Sequence, residues 1–140
     1  MSAIIRIVAV LIVALVITAS PALAAEQCPI TDAAIAQAGG YANAVEAAVS
    51  AAPDCERAFE ALDACQLGSS GDVALSDIVR GKCEPLFIGK AGPGVLKAYK
   101  KKQAGCARIV KKEGTMYLGL AAVCEARAAR NFARKYAKGH

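Results

Sequence analysis

The chain has 140 residues, which suits a single domain, and a formal net charge of +5. It contains six cysteines, no tryptophan and a single histidine, the terminal His140. Catalytic groups of the Ser-His-Asp and Cys-His types need a histidine inside the folded domain. Zinc sites usually have closely spaced ligand pairs, and the chain has no Cys-x-x-Cys. We therefore expect no catalytic residues, no metal and no cofactor, and a protein that is not an enzyme.

Residues 1–24 have the pattern of a secretory signal peptide. Arg6 is the only charged residue of this segment, an unbroken apolar run follows it, and alanines occupy the −3 and −1 positions of the cleavage site. A retained membrane anchor is the alternative, but a spanning helix needs about 20 apolar residues and this run is shorter. We expect cleavage before Ala25. The product is a cysteine-rich helical domain over residues 25–140, periplasmic or secreted, with no transmembrane span.

The first half of the mature chain is predicted to form helices separated by glycine and proline. The segment Ile30-Thr31-Asp32 offers an N-cap for an alanine-rich helix that Gly39-Gly40 interrupts, and a second helix is expected over 41–51. A stronger pattern covers about 54–67, where an acidic stripe at helical spacing runs beside an apolar stripe. The acidic stripe consists of Glu56, Glu60 and Asp63.

The second half contains the strongest helical patterns. A short helix capped by Asp72 or Ser76 comes first, followed by a glycine-rich loop over 88–94. Two amphipathic helices are then expected over about 95–112 and 115–137, joined by a tight glycine turn. No segment alternates with period two for long enough to form a strand. We therefore predict an all-α fold, a small disulfide-stapled bundle of four or five helices after an N-terminal signal peptide.

Six cysteines in a small exported chain predict three disulfide bonds. The first predicted pair joins the last two helices, because an antiparallel hairpin about Gly114 brings one cysteine of each to nearly the same height. The second pair joins the cysteines that flank the short fourth helix, and the third follows by elimination. The predicted pairs are Cys106–Cys124, Cys65–Cys83 and Cys28–Cys55.

Charge is divided unequally along the mature chain. Residues 25–77 carry nine acids and one base, for a net charge of −8, whereas residues 78–140 carry three acids and fifteen bases, for a net charge of +12. One explanation is that acidic and basic helices pack together, since opposite charges on adjacent flanks help to fix helix order. The other is that a positive surface remains for a polyanion, because the basic half has more charge than the acidic half can neutralise.

The candidate binding surface follows the basic stripes of the last two predicted helices. It consists of Lys97, Lys100, Lys101, Arg108, Lys111, Lys112, Arg127, Arg130, Arg134 and Lys138. The partner would be an anionic envelope component, either anionic lipid or acidic polysaccharide, or else a protein. Specific nucleic-acid recognition is not expected, because no aromatic side chains that could stack on nucleobases are interleaved with the basic residues.

Three functional hypotheses follow from these observations. The first is an exported, non-enzymatic helical binding or structural protein of the bacterial envelope. The second is an envelope polyanion binder that uses the basic surface over 97–138. The third is a periplasmic protein inhibitor that acts through the loops at 68–72 or 88–94. Salt should weaken polyanion binding steeply, whereas a loop inserted into a cleft should be far less sensitive.

Overall fold

The computed structural model describes residues 28–137, so the predicted signal peptide over residues 1–24 and the candidate residue Lys138 lie outside the described residues. Within that range every regular element is helical, and no helix there combines the length and apolarity needed to cross a bilayer. The α-helices are α1 (Asp32–Ala38), α2 (Tyr41–Ala51), α3 (Cys55–Ala64), α4 (Gly71–Cys83), α5 (Pro93–Glu113) and α6 (Leu118–Tyr136). Short 3₁₀ helices at Glu84–Leu86 and Thr115–Tyr117 follow α4 and precede α6.

The all-α prediction is confirmed, and residues 28–137 form six α-helices where four or five were expected. The boundary between α1 and α2 lies at Gly39, where the sequence pattern placed an interruption. This residue has a φ of 75°, in the left-handed region that glycine enters without steric cost. Its N–H donates to the carbonyl of Ala36, and α2 begins two residues later at Tyr41. The chain therefore forms two separate helices here, as the sequence pattern predicted.

The predicted helix caps are correct at Thr31 and wrong at α4. The Thr31 hydroxyl accepts the N–H of Ala34 at 3.2 Å. Neither Asp72 nor Ser76 caps α4, because that helix begins at Gly71 and places both residues inside it. The buried Asp72 carboxylate instead accepts three N–H groups of the preceding loop, those of Leu67 at 2.8 Å, Gly68 at 2.9 Å and Ser69 at 3.3 Å.

The loop predicted over 88–94 is shorter than expected because α5 begins at Pro93. Proline is favoured at the first helical position, where its fixed φ suits the helix and its missing N–H costs nothing. The other end of α5 is as predicted, since Gly114 ends it with a φ of 94°. A single turn of 3₁₀ helix then leads into α6.

The core lies between α3, α4 and α6, with α6 packed most extensively against α4 and α5. Its largest fully buried side chains are Phe59, Phe87, Leu62 and Leu75. The buried face of α6 is mostly alanine, which lets its backbone approach its neighbours closely. Phe87, Tyr99 and Phe132 form an aromatic cluster between α5 and α6, with ring centroids 5.0–5.8 Å apart.

All six cysteines form disulfides, so the predicted number of three bridges is confirmed. Only one of the three predicted pairings is correct. Cys106–Cys124 joins α5 to α6 as expected from the short turn. The pairings Cys65–Cys83 and Cys28–Cys55 are wrong, and the structure has Cys28–Cys65 and Cys55–Cys83 instead. Cys65 lies at the end of α3, just before α4, and Cys83 lies at the far end of α4, which has 13 residues and spans about 20 Å. A bridge between them would need Cα atoms within roughly 4.4–6.8 Å. The antiparallel packing of α3 and α4 instead brings the start of α3 to the end of α4.

Candidate anion-binding face of α5

The arginines of α6, which the sequence offered as binding residues, lie against the acidic stripe of α3. Arg127 contacts Asp63 at 2.7 Å, and Arg134 contacts Glu56 at 3.1 Å. Arg130 lies 3.7 Å from the same Glu56. Arginine suits this role because its planar guanidinium matches carboxylate geometry. The charge of these three arginines is therefore directed toward α3, in the packing arrangement that the sequence left open.

Arg130 is the most deeply placed of the three. Its side chain is only 17 % exposed, and its guanidinium lies 4.3 Å from the ring centroid of Phe59. That geometry combines ion pairing with a cation–π contact on a core aromatic ring. The remaining acid of the α3 stripe, Glu60, pairs with Arg57 at 2.8 Å. Every member of the acidic stripe thus has a cationic partner within the bundle.

The cations of α5 are arranged differently. Tyr99 and Cys106 form the buried side of this helix, and six basic residues project from the opposite side into solvent. Within residues 28–137, none of the six forms an ion pair at 4.0 Å or less. We call them the α5 basic face, and they are Lys97, Lys100, Lys101, Arg108, Lys111 and Lys112.

A shallow pocket of about 380 Å³ lies beside the α5 basic face, where α5 passes the side chain of Phe132. Lys101, Lys102 and Arg108 surround it, together with Ala98 and Gly105. Three cations over one pocket with an aromatic wall make a site for an anionic group attached to an apolar one. Lys102 was not among the predicted binding residues, since it lies at the edge of the apolar stripe.

Gly105 is the sequence signal that could have located this pocket. A glycine inside a helix costs about 1 kcal/mol relative to alanine, so its place in the middle of α5 calls for a local reason. A Cβ built at Gly105 would meet nothing within 4 Å, which shows that the missing side chain opens space without serving tight packing. Gly105 lines the pocket together with Lys101 and Arg108.

A half-buried polar network holds α5 on its buried side, opposite the α5 basic face. The Tyr99 hydroxyl donates to Glu84 at 2.7 Å, and the Arg80 guanidinium donates to the same carboxylate oxygen at 2.9 Å. The amide of Gln103 reaches that oxygen at 3.4 Å, while Arg80 also donates to Glu125 at 3.3 Å. One carboxylate thus joins α5 to the end of α4, and one arginine joins α4 to α6. The sequence did not indicate this network, because its members are far apart along the chain.

The network changes the proton affinities of its members. Burial raises the pKa of Tyr99 well above its usual range, and the adjacent Glu84 carboxylate raises it further. Burial also raises the pKa of Glu125, an effect that the charge of Arg80 partly offsets. Burial by itself lowers the pKa of Arg80, but the hydrogen bond and charge of Glu84 outweigh that effect, so the net change is upward. Tyr99 and Arg80 therefore stay protonated at neutral pH and hold α5 in place.

The candidate inhibitory loops are short and held to the bundle. The Asp72 carboxylate fixes the first through its three backbone hydrogen bonds, and Gly71 and Asp72 belong to α4. In the second, the N–H groups of Lys90 and Ala91 both donate to the carbonyl of Phe87, and the last two residues belong to α5.

Residues 28–137 contain no group of three or more His, Cys, Asp or Glu side chains placed to hold a metal ion. All six cysteine sulfur atoms are in disulfides, so the described chain presents no thiol for metal binding or nucleophilic chemistry.

No known protein family matches the chain, and no curated protein or solved structure shows significant similarity to it. The function is therefore inferred from the α5 basic face and its surroundings.

Proposed function

We propose that this protein is an exported, non-enzymatic binding domain that holds an anionic component of the cell envelope on the α5 basic face. The observation that carries the proposal is the contrast between two neighbouring helices. The arginines of α6 have carboxylate partners on α3, whereas the six cations of α5 have none among the described residues. Unpaired like charges on one helix face repel one another, so an arrangement of this kind is most favourable when an external anion is bound.

The dimensions of the face suit an extended ligand. Lys97 and Lys112 are separated by about 22 Å along the helix axis at 1.5 Å per residue. The cations between them recur at intervals of three, four and seven residues, which keeps them on one side. A polymer or surface with closely spaced negative charges can therefore contact several of them together. The pocket at Gly105 adds a place where one anionic group can be held between Lys101, Lys102 and Arg108.

The export part of the proposal is supported by the disulfides and by the N-terminal sequence. Three bridges in a chain of 140 residues are typical of oxidising compartments. The pattern of residues 1–24 supports a signal peptide. Together they favour the periplasm or the exterior of the cell as the place where the domain acts.

A charge-matched pair of variants tests the binding face. K100Q/K101Q removes two charges from the α5 basic face, and K90Q/K135Q removes two exposed charges elsewhere, so both proteins have the same net charge. The affinity of the oxidised protein for labelled polyphosphate is measured by fluorescence anisotropy across a range of salt concentrations. Because each cation near an anionic surface contributes about 1 kcal/mol, K100Q/K101Q should bind roughly 10- to 30-fold more weakly at low salt.

K90Q/K135Q should retain most of the affinity of the unmodified protein. The slope of log affinity against log salt should also become shallower for K100Q/K101Q, because fewer counterions are released on binding. Equal losses in the two variants would mean that only net charge matters, and this would refute the assignment to α5. No salt-dependent binding by the unmodified protein would refute the proposal altogether.

A further inference from the structure

The end of the α5–α6 hairpin carries a concentrated apolar surface. Met116 is 90 % exposed, and Leu120, Leu118 and Tyr117 are 53 %, 43 % and 42 % exposed. We call these four residues the hairpin tip. The other exposed large apolar side chains of residues 28–137 are scattered and at most 42 % exposed. Such a cluster on a small charged domain marks an interaction site, because isolated exposed apolar residues are ordinary and contiguous ones are not.

The hairpin tip is held in position by the packing of Gly119. This residue is buried against the carbonyl of Ser69, so close that a Cβ at Gly119 would lie 2.1 Å from the Ser69 oxygen. Ser69 is fixed in turn by the Asp72 carboxylate. With Gly119 facing inward, its neighbours Leu118 and Leu120 are turned outward. The apolar side chains are thus presented on a fixed framework, which reduces the entropy that binding must overcome.

Basic residues precede the hairpin tip along the chain. Arg108, Lys111 and Lys112 occupy the last turns of α5, all exposed, and Lys112 precedes Met116 by four residues. Four residues of chain reach at most about 14 Å, so the charge of Lys112 lies within that distance of Met116, with Lys111 one residue further along the chain. An apolar end with adjacent lysines and a tyrosine matches the interface of a bilayer with negatively charged head groups.

We propose that the hairpin end docks, tip first, on a phospholipid bilayer that contains anionic lipid. The inference deepens the proposed function and rests on it, since the α5 basic face supplies the attraction. Met116 and Leu120 enter the boundary between head groups and acyl chains, while Lys111 and Lys112 contact lipid phosphates. A soluble acidic polymer would use the same cations but would have no use for the apolar tip. The exposure of Met116 therefore favours the bilayer.

Insertion can be followed with a single fluorophore, because the chain has no tryptophan. M116W places the only tryptophan at the hairpin tip, and I88W places it at another exposed apolar residue, 40 % exposed and outside the hairpin end. Each oxidised variant of the processed chain, residues 25–140, is mixed with vesicles of phosphatidylcholine alone or of phosphatidylcholine with phosphatidylglycerol. We expect the M116W emission to shift to shorter wavelength and to be quenched by brominated acyl chains, with anionic vesicles only. The emission of I88W should not change.

Two charge-matched variants test the orientation. K111Q/K112Q and K97Q/K100Q lose the same charge from opposite ends of the α5 basic face. For tip-first docking, K111Q/K112Q should weaken binding to anionic vesicles by about 10- to 30-fold, and K97Q/K100Q by only a few-fold. Both should weaken polyphosphate binding to a similar extent, because a soluble polymer can follow the whole face. M116D should lose vesicle binding and keep polyphosphate binding and its circular dichroism.

These measurements separate failure of the inference from failure of the proposed function. If the two charge variants lose vesicle affinity equally and the M116W emission does not shift, tip-first docking is refuted while anion binding by α5 stands. Capture of an acidic protein through the hairpin tip, without binding to anionic vesicles, also refutes it. If none of the α5 variants changes binding to either polyphosphate or vesicles, the proposed function itself is refuted.

Discussion

A single methyl group added at two different glycines should change the stability of this fold in opposite directions. Gly119 is in the first turn of α6, where a Cβ would lie 2.1 Å from the carbonyl oxygen of Ser69 and 3.0 Å from its carbonyl carbon. Gly105 is in the middle of α5, where a Cβ would meet nothing within 4 Å. Neither glycine has a positive φ, so alanine is compatible with the backbone at both. The comparison therefore isolates packing from backbone conformation.

The size of each stability change follows from the atoms that the added methyl group would displace. At Gly119 the Ser69 oxygen would have to retreat by about 0.9 Å to reach even 3.0 Å, the closest approach that real Cβ atoms show. That oxygen belongs to the loop that the Asp72 carboxylate holds through three hydrogen bonds. Overpacking against fixed backbone costs about 1–3 kcal/mol, and we place G119A at the upper end of that range. G105A should add about 0.5–1 kcal/mol, because alanine loses less backbone entropy in a helix.

Urea unfolding of the oxidised proteins, followed by circular dichroism at 222 nm, measures both changes. G119A should move the midpoint to lower urea and G105A to higher urea, each with an unchanged slope. G119A should also displace the start of α6. The chain at Met116 and Leu120 should therefore be cleaved more readily by proteases in the G119A protein, and no more readily in the G105A protein. A G119A protein as stable as the unmodified chain would show that Ser69 and its loop can shift freely, and the fixed framework inferred for the hairpin end would be wrong.

Four further substitutions test the polar contacts. R130A should lower the free energy of unfolding by about 2 kcal/mol, because a side chain that is only 17 % exposed loses its packing on the Phe59 ring together with its contact to Glu56. R127A, at an exposed ion pair, should cost about 1 kcal/mol or less. Urea midpoints compare the two variants, and equal losses would contradict the placement of Arg130. Y99F should cost about 1.5–3 kcal/mol, since it removes a hydrogen bond to a carboxylate, and a melting temperature unchanged from the parent would count against the network. Burial raises the pKa of Glu125 above its ordinary value of 4.5, so its ionisation destabilises the folded state as pH rises through the folded pKa. E125Q should therefore gain stability relative to the parent between pH 4.5 and neutrality, and a difference that stays constant over pH 4 to 8 would show that the folded pKa is not raised.

The parts of the fold that the sequence predicted are those governed by local chemistry. Helical periodicity located all the helices to within a few residues, and Gly39 and Gly114 ended α1 and α5 as their conformational freedom suggests. The Cys106–Cys124 bridge was predictable for the same reason. A short turn fixes the relative height of the two helices that flank it, so only local distances were needed.

The parts that were missed depend on contacts between distant segments. The wrong cysteine pairings came from joining neighbours along the chain, whereas Cys28 reaches Cys65 across a separation of 37 residues. The network around Glu84 joins residues as far apart as Arg80 and Glu125, 45 positions from each other. Periodicity assigned Tyr99 to the apolar face and could not show that its hydroxyl finds a carboxylate there. Such pairings are set by helix packing, which no local pattern encodes.

Topology also explains why one basic helix is neutralised and the other is not. Several acids of the first half already have partners within the bundle. Glu56 and Asp63 form ion pairs with arginines of α6. Asp54 accepts a backbone N–H at the start of α3, and Asp72 accepts backbone N–H groups of the preceding loop. Among the described helices, α5 has backbone neighbours only in α6 and in the 3₁₀ turn that connects them. It is therefore an outer helix with α6 between it and the acidic α3, and the lysines that face away from α6 lie beyond the reach of that half. The position of α5 in the fold therefore leaves its basic residues without carboxylate partners among the described residues, and the proposed binding of an external anion rests on this arrangement.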